Sequence, residues 1–124
     1  MSDKALVLFA HGARDPRWKA PFERLQQLSS AALPQTMVRL AFLELMTPQL
    51  PETVAALIGE GCTEITVVPV FLGQGGHVLR DLPMLIDELR AQHPALALTV
   101  AAAVGESPEV LQSIADYCVA SAVQ

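Results

Sequence analysis

At 124 residues the chain has room for one compact domain, 1–124, built around a single core. Its 8 basic and 13 acidic residues leave a net charge of −5, the wrong sign for a protein that binds phosphate backbones, so no nucleic-acid partner is expected. With 52% apolar and 17% charged residues, the composition excludes a disordered chain and allows a substantial core.

The first apolar run, Ala5 to Ala10, suits a buried strand. A helix is expected to follow from Pro16 or Pro21, because proline is tolerated in a first turn; it carries Phe22, Leu25, Leu28 and Ala32 on one face, and Pro34 stops it. The second strand is expected over Met37 to Leu43. Its helix begins around Pro48 to Pro51, turns Val54, Leu57 and Ile58 inward, and ends at Gly59 to Gly61, where glycine accepts a left-handed cap. A third strand over Ile65 to Leu72 leads to a helix placed after Asp81 and Pro83, with Leu85, Ile86 and Leu89 as its buried stripe. The fourth strand, Leu96 to Val104, precedes a helix opened by Ser107-Pro108-Glu109, a capping hydroxyl followed by proline and an acid at the positive end of the helix dipole. That last helix is apolar around much of its circumference, through Val110, Leu111, Ile114, Ala115, Tyr117, Cys118, Val119 and Ala122. Such a pattern fits a helix covered on more than its sheet side, either by its own core or by a second copy.

The longest apolar run, Leu96 to Val104, is far shorter than the ~20 residues a membrane-crossing helix needs, and no secretory signal follows Met1-Ser2-Asp3-Lys4. A soluble, cytoplasmic protein without a membrane partner is expected. Cys62 and Cys118 have neither CxxC nor Cys/His spacing and read as reduced, buried thiols.

Strand alternating with helix, joined by short connections, implies right-handed crossovers between parallel strands and a sheet with helices on both faces. The expected architecture is an α/β three-layer sandwich of flavodoxin-like form, with a four-stranded parallel sheet in the order 2-1-3-4. Ligands of such sheets bind beyond the carboxyl ends of the strands, where the strand order reverses. There, strand one runs into His11, strand two into Glu44 and strand three into His77, each one 33-residue repeat from the next. Neighbouring strands lie ~4.8 Å apart, so the three side chains are expected to converge above the sheet. Two imidazoles and a carboxylate suit a cobalt, nickel, iron or zinc ion with open coordination positions.

Other residues at this edge are open to more than one reading. Gly73, Gly75 and Gly76 fit a backbone nest for an anion or simply a tight strand-to-helix turn. Arg14, Arg17 and Lys19, with Arg80 beside the third loop, suit a substrate bearing several carboxylates or a solvated helix start. Trp18 reads as a packing residue or pocket wall, and His93 as a surface residue at a helix end.

Three blocks carry a resemblance: His-Gly-x-Arg-Asp-Pro (His11 to Pro16), Ala-Phe-Leu-Glu with Pro-x-Leu-Pro (Ala41 to Glu44, Pro48 to Pro51), and Val-Pro-x-Phe-Leu-x-x-Gly-Gly-His-Val-x-x-Asp-Leu-Pro (Val68 to Pro83). In order and spacing they resemble the small CbiX-type sirohydrochlorin chelatases, the single-domain form of the class II tetrapyrrole chelatases. The resemblance implies insertion of a divalent metal substrate, cobalt first and iron or nickel as alternatives, into sirohydrochlorin during cobalamin or siroheme biosynthesis. It further implies a homodimer with no permanently bound cofactor. On this likeness His11, Glu44 and His77 match the family's metal-binding and catalytic groups. The backbone at Gly75 and Gly76, with Arg14 and Arg80, is expected to hold the tetrapyrrole. The chain departs from the family at Ala13, where serine usually follows His-Gly, and so lacks one hydroxyl near the site. A non-catalytic metal- or tetrapyrrole-binding module would use the same ligands. A histidine-phosphatase reading of the His-Gly pair fails on Ala10, where that chemistry needs an arginine.

Overall fold

The protein, seen as a computed structural model, is described over residues 3–73 and 75–123, with His77 and Leu79 described through their backbone alone. Strands β1 (Lys4–Ala10), β2 (Met37–Phe42), β3 (Glu64–Pro69) and β4 (Ala97–Val100) alternate with helices α1 (Ala20–Ala32), α2 (Leu50–Gly59), α3 (Gly76–Gln92) and α4 (Pro108–Ala122). Short 3-10 turns at Pro16–Lys19 and Val104–Glu106 precede α1 and α4. All pairings are parallel, as the repeat of strand and helix implies, and the spatial order is the expected β2-β1-β3-β4.

Alternation along the strands sorts the core into two layers. Val7 and Phe9 of β1 and Ile65 and Val67 of β3 face α2 and α3, where Val54, Leu57, Ile86 and Leu89 close over them. Leu8 and Ala10 face the other way, with Val38, Leu40 and Phe42 of β2, and α1 covers them through Phe22 and Leu25. Trp18 joins this second layer, its ring 4.4 Å from that of Phe22 and 6.4 Å from that of Phe42, so its role is packing.

Several boundaries differ from the sequence expectation. Helix α1 half-buries Phe22 and Leu25 against the sheet, but Leu28 is 59% exposed and Ala32 also faces solvent. The stack of Trp18 on Phe22 sets the rotation of the helix, so the next sheet-facing position is Gln26, whose amide donates to the Val38 carbonyl at 3.0 Å. Helix α3 starts at Gly76, upstream of Asp81 and Pro83, and carries Pro83 inside it. Its buried stripe is Val78, Leu82, Ile86 and Leu89, with Leu85 at the margin. A proline taken as a start signal therefore misplaced the helix by two turns, because apolar burial at Val78 and Leu82 outweighs one missing N–H. Strands β3 and β4 are shorter than their apolar runs: Phe71 and Ala103 are buried in the turns that follow the strands, so burial alone does not mark a strand.

Helix α4 begins as expected, with the Ser107 hydroxyl accepting from Val110 N at 3.4 Å. Yet none of its residues is buried: Leu111 is 46%, Ile114 40% and Tyr117 77% exposed. Cys118 is correspondingly exposed, contrary to the expectation of a buried thiol, whereas Cys62 is buried. Among the described residues no helix is long and apolar enough to cross a membrane.

Candidate functional site

The β1–β2 ladder continues past the strand ends and delivers the first two expected ligands as neighbours. Leu43 N donates to Ala10 O at 2.9 Å and Glu44 N to His11 O at 3.1 Å. Gly12 makes this possible: its φ is +99°, and a Cβ there would lie 1.8 Å from the Glu44 carbonyl oxygen. Only a residue without a side chain lets the two backbones approach so closely. Beyond Glu44 the chain turns sharply through Leu45, a left-handed residue at φ 66°.

The result is a direct contact between His11 Nε2 and Glu44 Oε1 at 2.9 Å, with side chains 43% and 42% exposed. Both groups are open enough to meet a ligand and anchored enough to hold position. The imidazole is oriented from beneath by Phe71, whose ring meets it edge to face with centroids 6.2 Å apart; Phe71 in turn packs edge to face on Phe9 at 5.8 Å. Phe71 was not singled out from the sequence, although an aromatic two positions after Pro69, within an apolar run reaching the sheet's carboxyl edge, was the available signal. The steric reason for Gly12 and the strained turn at Leu45 were equally hidden, because both depend on how closely the exits of β1 and β2 approach.

The third expected ligand is differently placed. His77 is the second residue of α3, not a loop residue, and its side chain lies outside the described residues. Among the described residues no group of three His, Cys, Asp or Glu side chains is gathered for a metal ion. Gly75 caps α3 and Gly76 opens it; both are exposed, with open space where a Cβ would project.

The basic residues divide. Arg14 is exposed beside the site and Arg80 is exposed at the start of α3, its Nε 3.9 Å from Asp81 Oδ1. Arg17 is committed elsewhere: its Nη2 lies 2.6 Å from Asp15 Oδ2, and its backbone N–H donates to Asp15 Oδ1 at 2.9 Å. The side-chain bond to Arg17, followed by the backbone bond, holds the Asp15 carboxyl below the usual carboxylate range. Arg17 thus fastens the turn before α1 and does not face the His11–Glu44 pair as a free cation. His93 ends α3 at the opposite edge of the sheet, where it lines a cavity of about 390 Å³ with Cys62 and Leu96.

An imidazole nitrogen and a carboxylate oxygen side by side at the switch point of a parallel sheet form a donor pair for a divalent cation or a proton relay. Comparison with known proteins narrows the reading. The CbiX family model matches residues 5–119. The chain is 34% identical over 83 residues to a sirohydrochlorin cobaltochelatase of Methanococcus aeolicus, a match covering 67% of this chain and 58% of that protein. A second protein of that name, from Methanocaldococcus jannaschii, is 34% identical over 90 residues, covering 73% and 63%. The match therefore spans less than two thirds of either relative. Among solved structures, a putative cobalamin (vitamin B12) biosynthesis CbiX protein from Marinobacter aquaeolei superposes with a TM-score of 0.83 at 31% identity, over 95% of this chain and 96% of that one. The sirohydrochlorin chelatase SirB from Bacillus subtilis subspecies spizizenii, solved in complex with cobalt, shares the fold at a TM-score of 0.77 and 23% identity, over 94% of this chain and 49% of that one. With the family model matching residues 5–119, which take in most of the sheet and its helices, the chain belongs to the CbiX family.

Proposed function

We propose that this protein inserts a divalent metal, cobalt first and iron or nickel as alternatives, into sirohydrochlorin. The observation that carries the reading is the His11 Nε2–Glu44 Oε1 contact of 2.9 Å at the sheet's carboxyl edge. Two donors bonded to one ion at about 2.1 Å each, on adjacent corners of an octahedron, stand about 3.0 Å apart, so the pair suits cis ligation with almost no movement. Names of relatives acting on sirohydrochlorin support the substrate.

Insertion replaces two pyrrole N–H protons by one dication, so the site must hold the metal weakly, accept protons and seat the ring. His11 presents the incoming ion with a nitrogen donor while Phe71 fixes the plane of the imidazole. Glu44 serves as second ligand and as the carboxylate that receives one pyrrole proton, and the His11 imidazole, freed as the ion leaves for the ring, accepts the second. His77, in the first turn of α3, is assigned the third donor on the family likeness. Arg14, Arg80 and the backbone of Gly75 and Gly76 are assigned to the substrate's carboxylates, whose charge they match. The metal is a substrate, and no resident cofactor enters the scheme. One carboxyl edge offers a wide planar ring a floor without a roof, and a second copy of the chain completes the cleft.

The test is turnover. Purified protein with sirohydrochlorin and Co(II), Ni(II) or Fe(II) is expected to change the ring's absorption faster than the uncatalysed reaction with at least one metal. Binding of the ring without acceleration by any of the three would refute the enzyme and leave a carrier of metal or tetrapyrrole.

A further inference from the structure

Two leucines stand in water at the strand exits that flank His11, and the backbone at each is tightly fixed. Leu45 directly follows Glu44 and is 55% exposed. Its φ of 66° lies in the left-handed region, which glycine and asparagine enter far more readily than leucine. The loop that demands this angle is closed behind it, where Phe42 N donates to Pro48 O at 2.9 Å. If the loop served only to return the chain to α2, asparagine would form it with less strain, and an apolar side chain left in water gains nothing from the core. One exposed leucine is ordinary on a protein surface; a strained one beside a donor pair, matched by a second across it, is not.

The second is Leu72. It follows Phe71, the ring beneath His11, and is 66% exposed. The turn before α4 is pressed onto it: Gly105 N donates to Phe71 O at 2.9 Å, and a Cβ on Gly105 would lie 1.9 Å from Leu72 O. The core takes the Phe71 ring and the turn takes the Leu72 backbone, leaving the isobutyl group outside both. The exits of β2, β1 and β3 carry Leu45, His11 and Leu72 in that spatial order. At ~4.8 Å between neighbouring strands, the two outer exits lie about 10 Å apart with the imidazole between them. Arg14, past the exit of β1, and Arg80, at the start of α3, are exposed. An apolar middle with cations around it complements a flat solute that is apolar across its plane and anionic at its edge.

We propose that Leu45 and Leu72 are substrate-contact residues that seat the apolar face of the macrocycle over the His11–Glu44 pair. The inference rests on the tetrapyrrole reading above and adds the groups that recognise the plane of the ring, where the arginines recognise its margin. Carboxylates on flexible arms fix where the edge of the ring lies, but not how near its nitrogens come to the ion. Apolar contact on both sides of His11 holds the plane at one height and displaces water from between the ring and the donors. Leu45, next to Glu44 in the chain, ties that seat to the carboxylate that takes up a proton, a place where a strained backbone is kept for function.

The experiment titrates metal-free sirohydrochlorin into the full chain, followed by ring fluorescence, and separates KM from kcat with Co(II). Leu45→Asn keeps a residue suited to the left-handed angle and removes the apolar surface. It is expected to weaken ring binding and raise KM about ten-fold, with kcat within a factor of about three of native, because the donor pair is untouched. Its urea midpoint should equal or exceed that of the native protein, since strain is relieved and no core contact is lost. Leu72→Asn is expected to lose about ten-fold in affinity at an unchanged midpoint. Leu45→Met and Leu72→Met, still apolar, should recover most of the affinity, and the asparagine losses should persist at high salt, which screens the share of the arginines. Native affinity in either asparagine variant, with turnover intact, would overturn the seat, which needs both sides, and leave metal insertion standing. A lowered midpoint beside a native KM would make the leucines structural, and a changed particle mass by light scattering would assign them to a contact between copies; either result overturns the seat. If the native chain binds the ring but inserts no metal, the enzyme reading fails while the affinities still decide the seat; if it does not bind the ring, both fail.

Discussion

Replacing Gly12 by alanine is expected to damage both stability and chemistry, in amounts that follow from the geometry. The added Cβ would sit 1.8 Å from the Glu44 carbonyl oxygen, about half a normal contact distance, so the β2 exit must retreat by more than 1 Å. A backbone held at φ +99° with a side chain adds strain on the order of 1–3 kcal/mol. The retreat also breaks the bonds from Leu43 N to Ala10 O and from Glu44 N to His11 O, each worth about 1 kcal/mol net. Together these make a loss of about 3–5 kcal/mol, out of the roughly 5–15 kcal/mol typical of a whole domain. Urea denaturation followed by circular dichroism should show the midpoint falling by about 2 M for an ordinary dependence on denaturant. Because a misplacement of about 1 Å costs on the order of 100-fold in rate, insertion should fall by at least that factor under conditions where the variant remains folded. A Gly12→Ala protein with a midpoint within 0.3 M of native (about 0.5 kcal/mol) and an unchanged rate would show that the close approach of β1 and β2 neither stabilises the fold nor sets the site.

Other substitutions separate support from chemistry. His11→Ala should abolish insertion while changing stability by no more than about 0.5 kcal/mol, since the side chain is 43% exposed; unfolding of this variant would reassign the residue to the scaffold. Phe71→Ala should cost about 3–5 kcal/mol by denaturation, because the ring is 5% exposed and packs on Phe9, and should also slow insertion by releasing the imidazole; a native rate in the folded variant would remove Phe71 from the site. Burial, with a further contribution from Glu60, pushes the Cys62 thiol up, so its thiolate is scarce near neutral pH and becomes available only as pH rises towards that raised value. Iodoacetamide at neutral pH should therefore leave Cys62 untouched until the chain unfolds. Cys118, exposed on α4, should be alkylated in the folded protein well before Cys62; equal rates at the two thiols would refute the difference in burial.

The alternation of apolar runs and helical stripes was enough to determine four parallel strands and the presence of His11 and Glu44 at their carboxyl ends, while the order 2-1-3-4 came from the fold class expected of such a repeat. Strand pairing fixes side-chain direction with a period of two, and a parallel sheet needs a crossover between neighbours, so these features are local in origin and legible in one chain. What tertiary structure decided were contacts between residues far apart in sequence. The rotation of α1 was set by Trp18 against Phe22 and Phe42, the start of α3 by burial of Val78 and Leu82, and the necessity of Gly12 by a carbonyl 32 positions away. Helix α4 gives the sharpest contrast. Its apolar side was plain in the sequence, but apolar periodicity says only that a surface must be covered; that the turn at Gly105 carries it clear of its own sheet is a matter of how β3 and β4 end in space.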